Sequence, residues 1–585
     1  MCVGVAATAL TSCVDTIILP DDITVGEDLW KKKSDVAMMV NSAYQGMTTE
    51  NVMERLIVWS GVRSDELVQA SSPEGAIPNA LAELIAASTQ VTNRYATWAD
   101  FYSVINRCNI VLDKAEGVLS EDPNYTEGDY LTDRSQMLAL RSLCYFYLVR
   151  NFRDIPYVDN AFVSSSQDRD FVQSSPAEVI DKCIESLEEA AANAIQARSY
   201  GIDDWRRVGW FTEDGINALL ADVYLWRASV MHSDADYQKT VDLCTKVIES
   251  KKEQQSVGRG QTTLKDYALA DAKQMFSDLF VGQNAEESIF ELQLNANPAL
   301  CKYLYKYGDN KSTEGYLKAS AVFTKDDAVT TAVDAIEEKV FSINDIRYYG
   351  SIYKPLTGAE SFDVRKMIAV TGQSNLTQQD RQTSRAYADI DQNYIVYRLS
   401  DVILMKAEAM VQLVDTVTAG LTEEEKTAKT TTINTQLEDA FNLVKVVNAR
   451  AFLEANQADA LVWTNLKKER KDKTGMELLV LEERMRELCF EGKRWYDLLR
   501  YNYRHMTGVS YSTLMADQGL EALPANYAEM LNIATRSRGT QKAGLIAKMR
   551  NEAYLYLPIP NSDQILATGL KQNPAYGSTN EFERK

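Results

Sequence analysis

The chain has 585 residues, 45% of them hydrophobic and 25% charged, enough apolar material to bury a large core. Its formal net charge of −21 leaves no extended basic stripe to neutralise phosphates, which excludes nucleic acid as a partner. Two histidines, His232 and His505, lie far apart, and none of the eight cysteines falls in a C-x-x-C pair, so most imidazole, zinc and dithiol chemistry is excluded as well.

At the N-terminus, Val3 to Leu10 form an apolar run too short to span a bilayer, and it leads into Leu10-Thr11-Ser12-Cys13. That ending resembles a lipobox, in which small residues precede a cysteine whose thiol accepts diacylglycerol. Residues 1–12 are read as a signal-peptide remnant and Cys13 as the lipidated first residue of the mature chain, although no Lys or Arg supplies the usual charged start. Several buried acyl chains at about 0.8 kcal/mol per methylene give stable anchoring, so the lipid is expected to be the sole membrane contact.

Residues 13–585 are read as a single domain. Leu140, Leu143, Cys144, Tyr147 and Leu148 follow the spacing of one helical face; Ile216, Leu219, Leu220, Val223 and Tyr224 repeat it, and Leu399, Val402, Ile403, Ala407, Met410 and Val411 do so again. A second stripe follows each: Ile180, Cys183, Ile184 and Leu187; Val241, Cys244, Val247 and Ile248; Ala440, Leu443, Val444 and Val447. The spacing predicts helical hairpins of the tetratricopeptide kind over about 35–292 and 394–455. Ser175-Pro176-Ala177-Glu178 predicts a capping box at one helix start. Trp98 shares a face with Tyr102, Ile105 and Asn109 and is assigned to the core, the cysteines on apolar faces are read as buried thiols, and Trp205 and Trp210 fall between two hairpins with no assignment.

Between the third and fourth hairpins, residues from about 293 to 393 are rich in Tyr, Asp, Thr and Gly, a loop-rich insertion of the length that usually carries function. Tyr303, Tyr305 and Tyr307 alternate with Lys302, Leu304 and Lys306. An extended backbone would put the three rings on one side, either as a stacking platform or as the packed face of a short hairpin.

The most distinctive stretch runs from Glu483 to Arg500, within a C-terminal region spanning 456–585. Read as one helix, it places Glu487, Glu491 and Trp495 on one face, with Arg484, Arg494 and Arg500 in reach of Glu487, Glu491 and Asp497. Two carboxylates suit a glycosidase, but with an arginine beside every acid the ion-paired structural helix is the better reading. Gly492 inside a helix costs about 1 kcal/mol relative to alanine, which predicts that a backbone or ring packs close there.

This stretch resembles the C-terminal signature of the SusD/RagB family of surface nutrient-binding lipoproteins. Leu140 to Tyr157, Tyr397 to Ala409, and Leu557-Pro558-Ile559-Pro560 with Gln572-Asn573-Pro574-Ala575-Tyr576 resemble three further family motifs, in the family's order, with Ala575 where a glycine is frequent. The resemblance implies an all-α scaffold of four tetratricopeptide-like hairpins with little β structure and a loop-rich ligand-binding face. It also implies an outer-membrane location facing the exterior, delivery of an oligosaccharide to a SusC-like TonB-dependent transporter, and no catalysis. Ligand contacts are expected from two places. One is the segment 60–95, with Arg63, Asp65 and Tyr95; the other carries Tyr303, Tyr305, Tyr307 and Tyr316. No cofactor or catalytic residue is expected, and structural calcium has no EF-hand spacing to support it. A peptide or other non-sugar nutrient remains the alternative ligand; a secreted glycoside hydrolase is less favoured, and no G-x-S-x-G or H-E-x-x-H motif occurs.

Overall fold

Each predicted stripe closes into a helix; the second helix of each hairpin keeps a polar face to water, whereas the first is buried nearly all round, polar residues included. The computed structural model describes residues 29–69, 76–164, 167, 171–256, 264–294, 316–323, 340–342, 344–352, 361–362, 364, 366, 392–506, 525–566 and 569–576. Cys13, Tyr303, Tyr305 and Tyr307 lie outside the described residues.

Eight long helices stack side by side as four pairs. In the first, α1 (Lys33–Gly46) packs against α3 (Ala99–Glu121), with α2 (Glu50–Gly61) between them in sequence. The others are α4 (Glu127–Phe152) with α5 (Pro176–Ala192), α6 (Glu213–Met231) with α7 (Asp234–Gln254), and α8 (Leu399–Gln412) with α9 (Glu423–Arg450). Contacts α3 to α4, α5 to α6 and α7 to α8 make the stack continuous. The α6–α7 turn is tight because His232 takes a left-handed conformation (φ 54°) and Ser233 then caps α7. At Ser175 only half of the expected capping box forms: the hydroxyl accepts from the Glu178 amide at 3.3 Å. Trp98 is fully buried, edge-on to Tyr102, and Cys108, Cys144, Cys183, Cys244 and Cys489 are buried free thiols.

Two small sheets complete the all-α body. Strand β2 (Ser288–Leu292) pairs antiparallel with β5 (Tyr394–Arg398), so the two ends of the insertion meet, and the Leu294 amide donates to Asn393 Oδ1 at 3.0 Å. Strand β3 (Leu317–Ser320), inside the insertion, lies between β1 (Leu67–Gln69) and β4 (Ser361–Phe362). The insertion therefore contributes strands as well as loop. Among the described residues no helix is long and apolar enough to cross a membrane.

The distinctive C-terminal stretch is not one helix. It forms α10 (Lys473–Leu488) and α11 (Arg494–Tyr503) around a turn in which Phe490 and Gly492 have φ of 65° and 74°. A Cβ on Gly492 would come within 2.6 Å of the Leu56 carbonyl oxygen and 2.7 Å of the Tyr394 hydroxyl. The glycine thus serves both a positive φ and a close approach by α2, and the predicted single face of Glu487, Glu491 and Trp495 is broken at this turn.

Candidate functional site

The turn between α10 and α11 sits on a lattice of buried charges. Arg398, at the start of α8, donates to Glu491 at 2.8 Å, Glu487 at 2.6 Å and Glu287 at 2.9 Å. Arg347, on the short helix Ile346–Ser351, reaches Glu483 at 2.7 Å and Glu487 at 2.9 Å. Arg450 pairs with Glu287 and Glu487, and Lys366 with Glu491. Burial alone would raise the Glu487 carboxyl, but the Arg450, Arg398 and Arg347 guanidiniums outweigh it and hold the group well below the usual carboxylate range. A carboxylate so held has no proton to give and no access to water, which removes the acid/base role that its spacing allowed. Asp497 takes Arg500 as the spacing suggested, whereas Arg484, expected beside Glu487, reaches across the turn to Asp497 at 3.0 Å and to Asp401 at 2.9 Å. Arg494 instead crosses the molecule to Asp65 at 2.9 Å.

Three residues expected on the ligand face are interior. Arg63 donates to the Trp59 carbonyl at 2.8 Å, the Leu555 carbonyl at 3.0 Å and Asn151 Oδ1. Asp65 is fully buried between Arg494 and Arg536, whose charges overcome the burial penalty and hold its carboxyl down to about 2. Tyr95 is 2% exposed, with the Arg94 guanidinium 5.3 Å from its ring centre. For Arg63 and Asp65 the reason is topological: the chain from α2 into β1 is a seam between the helical stack and the C-terminal segments, and its polar side chains bridge the two, while Tyr95 packs against α2, its carbonyl accepting from the Trp59 indole N–H at 2.7 Å. Glu66 is buried in the same seam, and Asn93 is buried outside it, donating to the Ala80 carbonyl at 2.9 Å and to Glu83 at 2.7 Å.

What the seam presents outward is set by β1 and β3. Their register pairs Leu67 with Ala319, Val68 with Lys318 and Gln69 with Leu317. Ser320 locks the pairing: its hydroxyl donates to the Asp65 carbonyl at 2.6 Å and its amide to the Glu66 carbonyl at 2.8 Å. Tyr316, half-buried just before β3, lies in the neighbourhood of Tyr95. The two sequence regions expected to hold ligand, about 250 residues apart, therefore share one face. It shows Val68, Tyr316 and Lys318 partly exposed, while Gln69, paired with buried Leu317, belongs to the other side of the sheet; the Arg94 side chain, 39% exposed, lies over the Tyr95 ring. Arg94 was not picked out by sequence reasoning; its place one residue before Tyr95 was the available signal.

A second aromatic group lies near the root of the insertion. Trp205, 43% exposed, stands edge-on to Trp210 with ring centres 5.7 Å apart, and its indole packs over Gly209 beside Gln293. Arg206 is forked onto Asp204 and lies 4.9 Å from the Tyr200 ring centre and 5.6 Å from that of Trp210. Trp205 is thus a surface residue. Among the described residues no three His, Cys, Asp or Glu side chains are grouped to hold a metal ion.

A family model described as the SusD family matches residues 232–576, and one described as "Starch-binding associating with outer membrane" matches residues 22–225. SusD-like protein P38 of Formosa agariphila is 24% identical over 524 residues, covering 84% of this chain and 89% of the relative. Among solved structures, a SusD superfamily protein of Bacteroides vulgatus superposes with a TM-score of 0.63 at 17% identity, over 93% of this chain and 99% of its own. A laminarin-binding SusD-like protein gives a TM-score of 0.58 at 20% identity, over 94% of this chain and 100% of its own. At these identities the structural likeness speaks for the fold alone.

Proposed function

The chain belongs to the SusD family, and on that premise we propose that it is a cell-surface lipoprotein that captures an oligosaccharide and hands it to a SusC-like TonB-dependent transporter. In this reading residues 13–585 act as one domain, Cys13 carries the outer-membrane anchor, and the protein binds without cleaving. The observation that carries the reading is the pairing of β1 with β3, which puts Tyr316, Lys318 and Val68 on one partly exposed face of that sheet. An aromatic ring beside long polar side chains suits a sugar, whose C–H surface stacks while its hydroxyls take hydrogen bonds. Tyr303, Tyr305 and Tyr307, nine to thirteen residues upstream of Tyr316, are proposed as further contacts of that face. The buried residues Arg63, Asp65 and Tyr95 support it from beneath.

The test is affinity electrophoresis and calorimetry of the soluble domain beginning at Val14, against laminarin and a panel of plant, host and microbial glycans, with peptides in parallel. Binding to one glycan class is expected. Tyr316→Ala should weaken it by about 1 kcal/mol, roughly fivefold, with an unchanged melting temperature. Binding of peptides with silence toward every glycan would replace the sugar by a peptide, and cleavage of the bound glycan would overturn the non-catalytic reading.

A further inference from the structure

Beneath the seam is a small pocket lined by Arg63, Arg538, Trp495, Thr535, Leu84 and Met549, among others. Its two arginines differ from those of the charge lattice. Arg63 gives its hydrogen bonds to two backbone carbonyls and the Asn151 amide oxygen. Arg538 gives its own to the carbonyls of Leu67 at 3.0 Å and of Val62 and Ser64 at 2.6 Å, the last two flanking Arg63 in the chain. All these acceptors are neutral. Neither guanidinium meets a carboxylate among the described residues, and the nearby Asp65 is already held by Arg494 and Arg536. Both side chains are more than nine-tenths buried, at 9% and 8% exposure. Burial lowers each from the ordinary arginine range to about 10, the mark of a charge short of compensation. The Trp495 indole, 1% exposed, lies under Arg63, with the guanidinium 5.0 Å from its ring centre, and its Nε1 has no acceptor.

Two buried arginines without a counter-charge among the described residues, and a tryptophan whose indole N–H has no acceptor among them, therefore line one cavity. Such groups are costly inside a protein unless a partner of opposite sign is supplied. The space between them is about 20 Å³, which suits one small ion or a water or two and is far too little for a sugar ring. We infer that this pocket binds a small monovalent anion of halide size, held by Arg63, Arg538 and the Trp495 indole N–H. Water would fill the same volume and take the orphan N–H, but it would leave the two charges uncompensated. The anion joins three distant pieces of chain: the segment after α2, the start of α11 and the segment that carries Arg538. The pocket lies beneath the proposed sugar face and shares Arg63 with its support, but its test reads halide and not sugar, so the failure of either reading is distinguishable from that of the other.

The experiment uses the purified full chain in sodium gluconate at fixed ionic strength and pH, with chloride or bromide replacing gluconate stepwise. The melting temperature is expected to rise and saturate with either halide, and bromide-exchanged crystals should show one anomalous peak among Arg63, Arg538 and Trp495. Trp495→Phe keeps a ring under Arg63 and removes only the N–H donor; the halide concentration for half-saturation should rise about tenfold. Arg538→Gln, checked for folding by circular dichroism, should abolish the saturable response. Equal melting in chloride and gluconate with no bromide peak would mean that the pocket holds water, and the inference would be overturned. A halide response undiminished in both variants would overturn it as well.

Discussion

Replacing Gly492 by alanine tests the turn on which the C-terminal signature closes against α2. Two terms add. At a φ of 74° an L-residue with a Cβ costs roughly 1–2 kcal/mol. The new methyl would also stand 2.6 Å from the Leu56 carbonyl oxygen and 2.7 Å from the Tyr394 hydroxyl. The first is backbone inside α2 and the second belongs to a buried strand residue, so relief needs a shift of a packed element, which costs about 1–3 kcal/mol. The expected loss is roughly 2–5 kcal/mol, a large share of the stability of a typical domain, which is about 5–15 kcal/mol. Urea denaturation of the wild type and Gly492→Ala would show it as a lower midpoint. Gly117→Ala is the matched control: it is an exposed position within α3 with nothing near the added methyl, so it should be neutral or stabilise by about 0.5–1 kcal/mol. If both variants melt with the wild type, the close approach at Gly492 is wrong.

Further outcomes follow from the same geometry. Glu487→Gln removes the anion that Arg347, Arg398 and Arg450 share, and about 3–5 kcal/mol should be lost because the cations stay buried; a loss under about 1 kcal/mol would show the lattice to be redundant. Glu66, fully buried beside Asp65, is pushed up to about 8, first by burial and then by that neighbouring charge. Its folded form holds a proton that the unfolded form has released, so this group makes stability fall as pH rises from the ordinary carboxyl range toward 8 and level off above it. Glu66→Gln should flatten that decline, which is on the order of a few kcal/mol; an unaltered stability–pH curve in the variant would refute it. Trp205→Ala, which removes an exposed ring packed on Gly209, should leave the melting temperature unchanged and reduce retention on polysaccharide gels; full retention would assign the ring to another surface role.

How far the sequence could be read depended on the range over which each interaction acts. Hairpins α4–α5, α6–α7 and α8–α9 were legible because both stripes of each lie close in the chain and each stripe declares its own buried face. The pair of α1 with α3 was not, since residues 47–98 intervene and carry α2 and β1. The pairing of Asp497 with Arg500 was within reach of local spacing, and that with Arg484, across the turn, was not. For Glu487 and Glu491 the spacing showed only that the acids would be neutralised, because their partners Arg347, Arg398, Arg450 and Lys366 arrive from three other segments.

The candidate site shows the same division. By itself the sequence determined the helical stack, the family and the two segments that flank the face, since these rest on periodicity and on motifs local to the chain. Only the tertiary structure decided that Arg63, Asp65 and Tyr95 are interior, that Arg94 lies over the Tyr95 ring, and that Arg63 and Arg538 meet no carboxylate among the described residues. The physical reason is that a polar side chain's role depends on whether water or a distant segment satisfies it, and the pairing of β1 with β3 and the turn at Gly492 settle which segments meet.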